Sequence, residues 1–204
     1  MAPGPDTLLI SARLHGAPAP EFGQLVSTAA FAKAEDGKAV RLNGHDEKLL
    51  YALPEDFGPD FTVAVRVRIR EWPSQKHLGQ IFSAWAAAGD DPLRLTIDGG
   101  KLFARVESDH AVSIGGVSLE LSRWHHIAAV KAGTRLTLYV DGKSCATGET
   151  AEQVNTAARL AALGGNPLFT GAPEFLAADF SDFVVRNRAL SEAEISALSG
   201  SATP

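Results

Sequence analysis

The chain has 204 residues, of which 45% are hydrophobic and 21% charged, and its net charge at pH 7 is −5. This composition is that of an ordinary folded protein, and the length suits one large all-β domain better than two domains. The acidic balance argues against nucleic-acid binding, which relies on a basic surface, and no apolar run approaches the roughly 18 residues of a membrane span.

Short strands separated by turn residues follow a flexible lead-in at residues 1–7. We predict strands over residues 8–14, 39–42 and 49–53 from their apolar content and the turn residues after them. The clearest strand is residues 61–70, FTVAVRVRIR, in which every second residue is apolar. Its register is fixed, because a slip of one residue would bury three arginines.

The second half of the chain continues in the same way. Strands are predicted over residues 81–85, 93–97, 102–107 and 112–119. Residues 124–147 are predicted to form an aromatic-led strand, a short turn and a second alternating strand, which an Asp-Gly hairpin turn joins to a further strand that contains Cys145. A long last strand is predicted over residues 175–186. Ser191 and Glu194 then form a capping box that begins a short terminal helix. Ten or more short strands and one helix favour an all-β sandwich over an α/β fold.

Three segments of the chain resemble the laminin-G-like, concanavalin A-like lectin and glucanase family. They are residues 37–69, residues 124–143 (WHHIAAVKAGTRLTLYVDGK) and residues 178–198 (ADFSDFVVRNRALSEAEISAL). The resemblance spans residues 8–198, with 199–204 as a tail. It implies a concanavalin A-like jelly roll β-sandwich of two antiparallel sheets with a short C-terminal helix. Members of this family mostly bind glycans or proteins, and only some of them cleave a substrate.

The sequence lacks the acid pattern of the family's glucanases. Glycoside hydrolysis uses two carboxylates about 5–9 Å apart. Those glucanases carry them on one strand as Glu-x-Asp-x-x-Glu or Glu-x-Asp-x-Glu, and no such run occurs here. Asp179 and Asp182 are three residues apart, a spacing that places them on opposite faces of a regular strand. We therefore expect a domain without catalytic residues, with a hydrolase of unrecognised site as an alternative.

Aromatic and arginine side chains on the polar sides of strands are the candidate ligand contacts. They are Phe103, Arg105, Tyr139, Arg66 and Arg68, together with Trp85 before the loop at residues 86–92. If these strands share a sheet, their outward faces form an arginine-rich surface with aromatic platforms, which suits an acidic glycan. A solvated sheet face covered by arginine stems explains the same pattern.

The resemblance also implies a Ca²⁺ site, because family members often bind one Ca²⁺ at the rim. Such a site needs oxygen ligands, and Asp46, Asp60 and Asp182 near predicted turns are the candidates. None of them has the spacing of an EF-hand loop.

We expect a non-catalytic binding module, first of all for carbohydrate, from a larger secreted or cell-surface bacterial protein. A protein-interaction or adhesion spacer domain is the alternative within the same fold. The first residues lack the basic and apolar segments of a signal peptide, so an extracellular location requires a leader outside this sequence.

Overall fold

The computed structural model describes residues 7–28, 32–34, 37–74, 77–154, 156–168 and 174–201. Most of the predicted lead-in and the last three residues lie outside these ranges. The described residues form fifteen strands and one helix. The elements are β1 Leu8–Ala12, β2 Leu25–Thr28, β3 Ala32–Lys33, β4 Val40–Asn43, β5 Leu49–Ala52, β6 Phe61–Ile69, β7 Gly79–Ser83, β8 Asp91–Asp98, β9 Lys101–Glu107, β10 Ala111–Ser118, β11 Trp124–Ala132, β12 Arg135–Val140, β13 Lys143–Glu149, β14 Leu160–Leu163, β15 Ala177–Arg186 and α1 Glu192–Ser201.

The strands form two antiparallel sheets, which confirms the predicted jelly roll sandwich. The first sheet has the order β13-β12-β11-β6-β15-β4-β3, and β1 pairs with the second half of β15. The second sheet has the order β10-β9-β8-β7-β14-β5-β2. Many neighbours in these sheets are distant in sequence, as expected for a fold with crossing connections.

The core lies between the inner faces of the two sheets. The apolar face predicted for residues 61–70 is confirmed, since the five alternating apolar residues of β6 are at most 1% exposed. Tyr51 and Phe82 of the second sheet pack against Phe183 of the first, with ring centroids 5.4 and 5.9 Å apart. These contacts join the two sheets across the core, and aliphatic side chains of both sheets pack around the rings.

Helix α1 covers part of the outer face of the first sheet. Its start is capped as predicted: the Glu194 amide donates to Ser191 Oγ, and the Ser191 amide donates to Glu194 Oε2. Hydrogen bonds from Arg188 and Ser191 lower the pKa of Glu194 to about 2. The helix buries Ile195 against small and apolar residues of β6, β11 and β12, so this part of the sheet is closed to solvent.

A β-bulge in β15 overturns the expectation that Asp179 and Asp182 face opposite sides. The register between β15 and β6 shifts between Ser181 and Phe183, and Asp182 has φ of 47°. One extra residue at this point places both aspartates on the outer side of the sheet, while Phe180 and Phe183 both remain in the core.

Candidate functional site

The residues predicted to contact a ligand do not form one surface. Phe103 and Arg105 lie next to each other on the outer face of the second sheet, opposite Thr96 and Arg94 of β8. Arg66 and Arg68 lie on the outer face of the first sheet, on the other side of the sandwich. The predicted arginine-rich surface is therefore divided between two faces that no single small glycan can contact.

Tyr139 and Trp85 have different surroundings from these four residues. Tyr139 is 8% exposed and packs with Ile195 under α1, where burial raises the pKa of its hydroxyl. Trp85 follows β7 and is half-buried, and its amide donates to Ser83 Oγ. The alternation of a strand does not show whether a helix covers one of its faces, so the burial of Tyr139 under α1 was not predictable from its own segment.

On the first sheet, Arg68 is bound by other side chains of the protein. It donates from Nε and Nη2 to the buried carboxylate of Asp179, which also accepts from Arg41. Its guanidinium also lies over the ring of Trp124, 4.9 Å from the ring centroid. Two arginines, one buried carboxylate and one indole therefore form a row across four strands.

The three candidate calcium ligands lie on separate segments. Asp46 accepts from Asn43 Nδ2, Asp60 accepts from the Gly133 amide, and Asp182 accepts from Ser181 Oγ. Within the described ranges, no group of three or more His, Cys, Asp or Glu side chains is placed to hold a metal ion. The three aspartates are thus not brought together as ligands of one centre, and a Ca²⁺ site at any one of them would need carbonyl or water oxygens in addition.

A polar network covers the middle of the outer face of the second sheet. Glu174 Oε2 accepts from Gln80 Nε2 at 2.7 Å and from Asn166 Nδ2 at 2.5 Å. Gln80 in turn accepts from Thr96 Oγ1, and Asn166 accepts from Ser83 Oγ. The chain of hydrogen bonds fixes Glu174 in place, because its carboxylate accepts from side chains of one strand and one loop that are themselves held by further hydrogen bonds.

Arg94 joins a second carboxylate to this network. Its Nε donates to Asp91 Oδ2 at 2.5 Å, and its Nη1 lies 3.8 Å from Glu174 Oε2. Burial raises the pKa of Asp91 to about 6, and Arg94 opposes the rise. Asp91 is fully buried, and its Oδ1 has no hydrogen-bond partner among the described residues. It therefore orients Arg94 and does not itself reach a ligand.

A pocket of about 420 Å³ opens at the end of the sandwich beside this network. We call it the rim pocket. Three loops form it: the turn after β4, the connection between β6 and β7, and the segment that leads into β15. Its aromatic and polar lining residues are Asn43, His45, Glu71, Trp72, Ser74, His77, Glu174 and Phe175. Glu174 belongs to both the pocket and the network, so the rim pocket is continuous with the face that carries Phe103 and Arg105.

Glycine and tryptophan set the shape of the rim pocket. Gly44 has φ of 80°, and a Cβ there would lie 2.6 Å from the Ala177 nitrogen, so only glycine lets the two loops approach this closely. Trp72 is half-buried, packs partly against the core, and lies beside Gly100 of the β8–β9 turn. Its ring is held at the pocket wall, and polar side chains surround it. This combination of an aromatic face and hydrogen-bonding groups is typical of a small-molecule site.

Comparison with known proteins adds to this geometry. The family model of the concanavalin A-like lectin/glucanases superfamily matches residues 43–196. The chain belongs to this superfamily. The match contains the rim pocket and the polar network, and it confirms the resemblance that the three sequence segments indicated. No curated protein sequence matches this superfamily member.

Several solved structures similar to this superfamily member come from toxins and their binding domains. One is a structure of botulinum neurotoxin type C, a toxin whose cell entry depends on interaction with two ganglioside molecules. It matches with a TM-score of 0.76 at 13% identity, over 97% of this chain and 52% of that chain. The binding domain of botulinum neurotoxin DC in complex with rat synaptotagmin II matches with a TM-score of 0.74 at 14% identity, over 95% and 51%. The binding domain of Paraclostridial Mosquitocidal Protein 1 matches with a TM-score of 0.74 at 16% identity, over 95% and 52%.

These likenesses show the fold, since the identities are low. The chain spans about half the length of the structures that it matches. Among the described residues, no helix is long and apolar enough to cross a membrane.

Proposed function

We propose that the protein is a non-catalytic carbohydrate-binding module whose ligand enters the rim pocket. The observation that carries the proposal is Trp72 at the pocket wall with amide, imidazole, hydroxyl and carboxylate side chains around it. A sugar ring stacks on an aromatic face, and its hydroxyls need donors and acceptors at the edge of that face. The pocket supplies both.

The continuity of the pocket with the outer face of the second sheet supports an oligosaccharide. Beyond Glu174, the face carries Arg94, then Arg105 and Phe103 on the next strand. A longer glycan would place its first unit on Trp72 and later units towards Phe103. Arg105 at this end of the face favours a glycan that carries carboxylate or sulfate groups.

Binding, rather than cleavage, is the function that the carboxylates support best. Glu71 and Glu174 both line the rim pocket, but Glu174 Oε2 already accepts two short hydrogen bonds and lies beside Arg94. These donors hold the Glu174 carboxylate as a fixed acceptor, a role that favours ligand binding at the pocket over bond cleavage.

A glycan array followed by calorimetry tests the proposal. We expect Trp72→Ala to lose binding at least about tenfold, since stacking on one aromatic face is worth about 1.5 kcal/mol or more. Phe22→Ala is the matched control, because Phe22 is an exposed aromatic outside the pocket. His77→Ala repeats the test with an exposed lining residue whose removal does not disturb the core.

The outcomes separate the alternatives. An array without hits, or equal binding by the Trp72 and Phe22 variants, would refute the proposed site. Release of reducing ends from any bound polysaccharide, lost in Glu71→Gln, would establish the hydrolase instead. A further loss with Phe103→Ala on long glycans alone would extend the site across the second sheet.

Protein recognition is the second candidate, and the neighbour in complex with rat synaptotagmin II favours it. A receptor-binding role would also agree with our proposal that the domain works outside the cell as part of a larger secreted or surface protein. Pull-down of a partner by a variant without glycan affinity, Trp72→Ala, would support the protein-binding function.

A further inference from the structure

A second cavity lies on the opposite side of the sandwich from the rim pocket. It encloses about 510 Å³ between the outer face of the first sheet, the chain that follows β1 and the last turns of α1. We call it the outer-face cavity. It shares no lining residue with the rim pocket, and the carbohydrate proposal does not use it.

The floor and one wall of the outer-face cavity are apolar. Ala64 of β6 and Val184 of β15 form the floor, and Leu198 of α1, which is 36% exposed, forms a wall. An exposed leucine over small residues leaves room for an apolar ligand body, since no larger side chain of the sheet fills the space.

The opposite wall carries two guanidinium groups and an imidazole. Arg13 and His15 come from the chain after β1, and Arg186 comes from the end of β15. The position of Arg13 is fixed by its backbone, because its carbonyl accepts from the Asp182 amide at 3.2 Å and its amide donates to Glu21 Oε2 at 2.9 Å. The β-bulge of β15 thus places Arg13 at the cavity. Asp182 is the one carboxylate in the lining, and its Oδ2 already accepts from Ser181 Oγ.

His126 places a buried imidazole in the lining of the same cavity. It is 7% exposed, and its Nδ1 has no hydrogen-bond partner among the described residues. Burial lowers the pKa of His126, so the ring adds no positive charge to the cavity at pH 7. A buried nitrogen without a partner is less costly as a lone pair than as an N–H, so Nδ1 carries no proton that would need an acceptor.

We propose that the outer-face cavity binds a small amphipathic carboxylate, with its apolar body on Ala64, Val184 and Leu198 and its carboxylate facing Arg13. Guanidinium groups favour a planar carboxylate, and the apolar floor favours a hydrocarbon chain over a sugar ring.

Calorimetry with three probes tests the ligand class. Octanoate, below its critical micelle concentration, has both parts; acetate has only the carboxylate and 1-octanol only the chain. We expect octanoate to bind at least about tenfold more tightly than either, because each part alone loses one set of contacts. Equal binding of octanol and octanoate, or of acetate and octanoate, would overturn the assignment.

Two arginine variants test whether octanoate binds in the outer-face cavity. Arg13→Ala is expected to weaken octanoate about tenfold, the effect of one charge-assisted hydrogen bond. Arg135→Ala removes the same charge from an exposed position of β12 outside the cavity and is expected to bind as the unchanged protein does. Equal affinities of these two variants would overturn the proposal. Both positions are exposed, so neither variant should impair folding.

A further variant keeps this result separate from the carbohydrate proposal. Trp72→Ala should leave octanoate affinity unchanged, because Trp72 lies in the rim pocket. Loss of octanoate binding in Trp72→Ala would mean that the probe occupies the rim pocket, and this would also refute the outer-face site.

Discussion

Arg68 and Trp124 lie directly opposite each other on β6 and β11, and the guanidinium of Arg68 stands 4.9 Å from the centre of the indole. The same guanidinium donates to Asp179, whose side chain is fully buried. The carboxylate and the indole therefore fix Arg68 from two sides. An arginine chosen from the sequence as a ligand contact is in this structure part of the link between strands.

Removal of Asp179 should destabilise the first sheet. Asp179→Ala leaves Arg41 and Arg68 without their shared counter-ion, and we expect a loss of about 3 kcal/mol in the free energy of unfolding. Urea denaturation measures it. Asp56→Ala is the control, because it breaks an exposed ion pair with Arg159 and should cost at most about 1 kcal/mol. Equal losses would show that the buried ion pairs of Asp179 contribute no more to the free energy of unfolding than the exposed pair does.

Lys131 should contribute as much to the stability of the fold as an apolar core residue does. It is fully buried, and its Nζ donates to the carbonyls of Pro59, Gly133 and Glu152 at 3.0, 2.5 and 2.7 Å. Lys131→Met keeps the length of the side chain but leaves three carbonyls without this donor, so we expect a loss of about 3 kcal/mol or more.

Thermal and urea unfolding give the size of this effect. Lys143→Met, at an exposed position of β13, is the control and should stay within about 0.5 kcal/mol of the unchanged protein. A Lys131 variant as stable as this control would contradict the structural role.

Asp91 should make the protein less stable as pH rises. Its pKa is about 6 in the folded protein against an ordinary 3.8, so the folded state holds the proton that the unfolded state has lost between these values. The free energy of unfolding should therefore fall between about pH 4 and pH 6, by up to about 3 kcal/mol for this group.

The variant Asp91→Asn isolates that contribution. An amide does not titrate, so the fall between pH 4 and pH 6 should be smaller in Asp91→Asn by the share of this one carboxyl. Parallel stability curves for the two proteins would show that Asp91 does not titrate in this range.

Gly44 should tolerate no side chain. Gly44→Ala combines a φ of 80° with a Cβ 2.6 Å from the Ala177 nitrogen, so the two loops of the rim pocket must separate. Gly89→Ala is a close control, because Gly89 has φ of 78° and open space around it. We expect about 1 kcal/mol for the control and at least about 1 kcal/mol more for Gly44→Ala, with weaker glycan binding in the latter alone.

The fold could be predicted well from the sequence, because its strands and its helix are marked by local residue patterns. Alternation in residues 61–70 identified the buried face of β6, and Ser191 with Glu194 identified the start of α1. The two short strands β2 and β3 were not predicted. They have four and two residues, too few for a periodic pattern.

The candidate site was much less predictable. Its parts come from loops near residues 43, 72 and 174, and no local pattern shows that these loops meet. Trp72 stands beside Pro73 in the sequence, and the residues around it are fixed only by the crossing connections of the chain. Strand alternation could show that Arg66 and Phe103 face outward, yet not that they lie on different sheets.

The bulge at Asp182 separates two halves of β15 that pair with different strands. Residues before it pair with β4 and residues after it pair with β1, and one added position keeps Phe180 and Phe183 on the same side. Loss of the Asp182 codon would remove this added position and leave a regular strand in which Phe180 and Phe183 still point inward. It would also remove the Asp182 amide that donates to the Arg13 carbonyl, so its effect would fall on the chain after β1 rather than on the core.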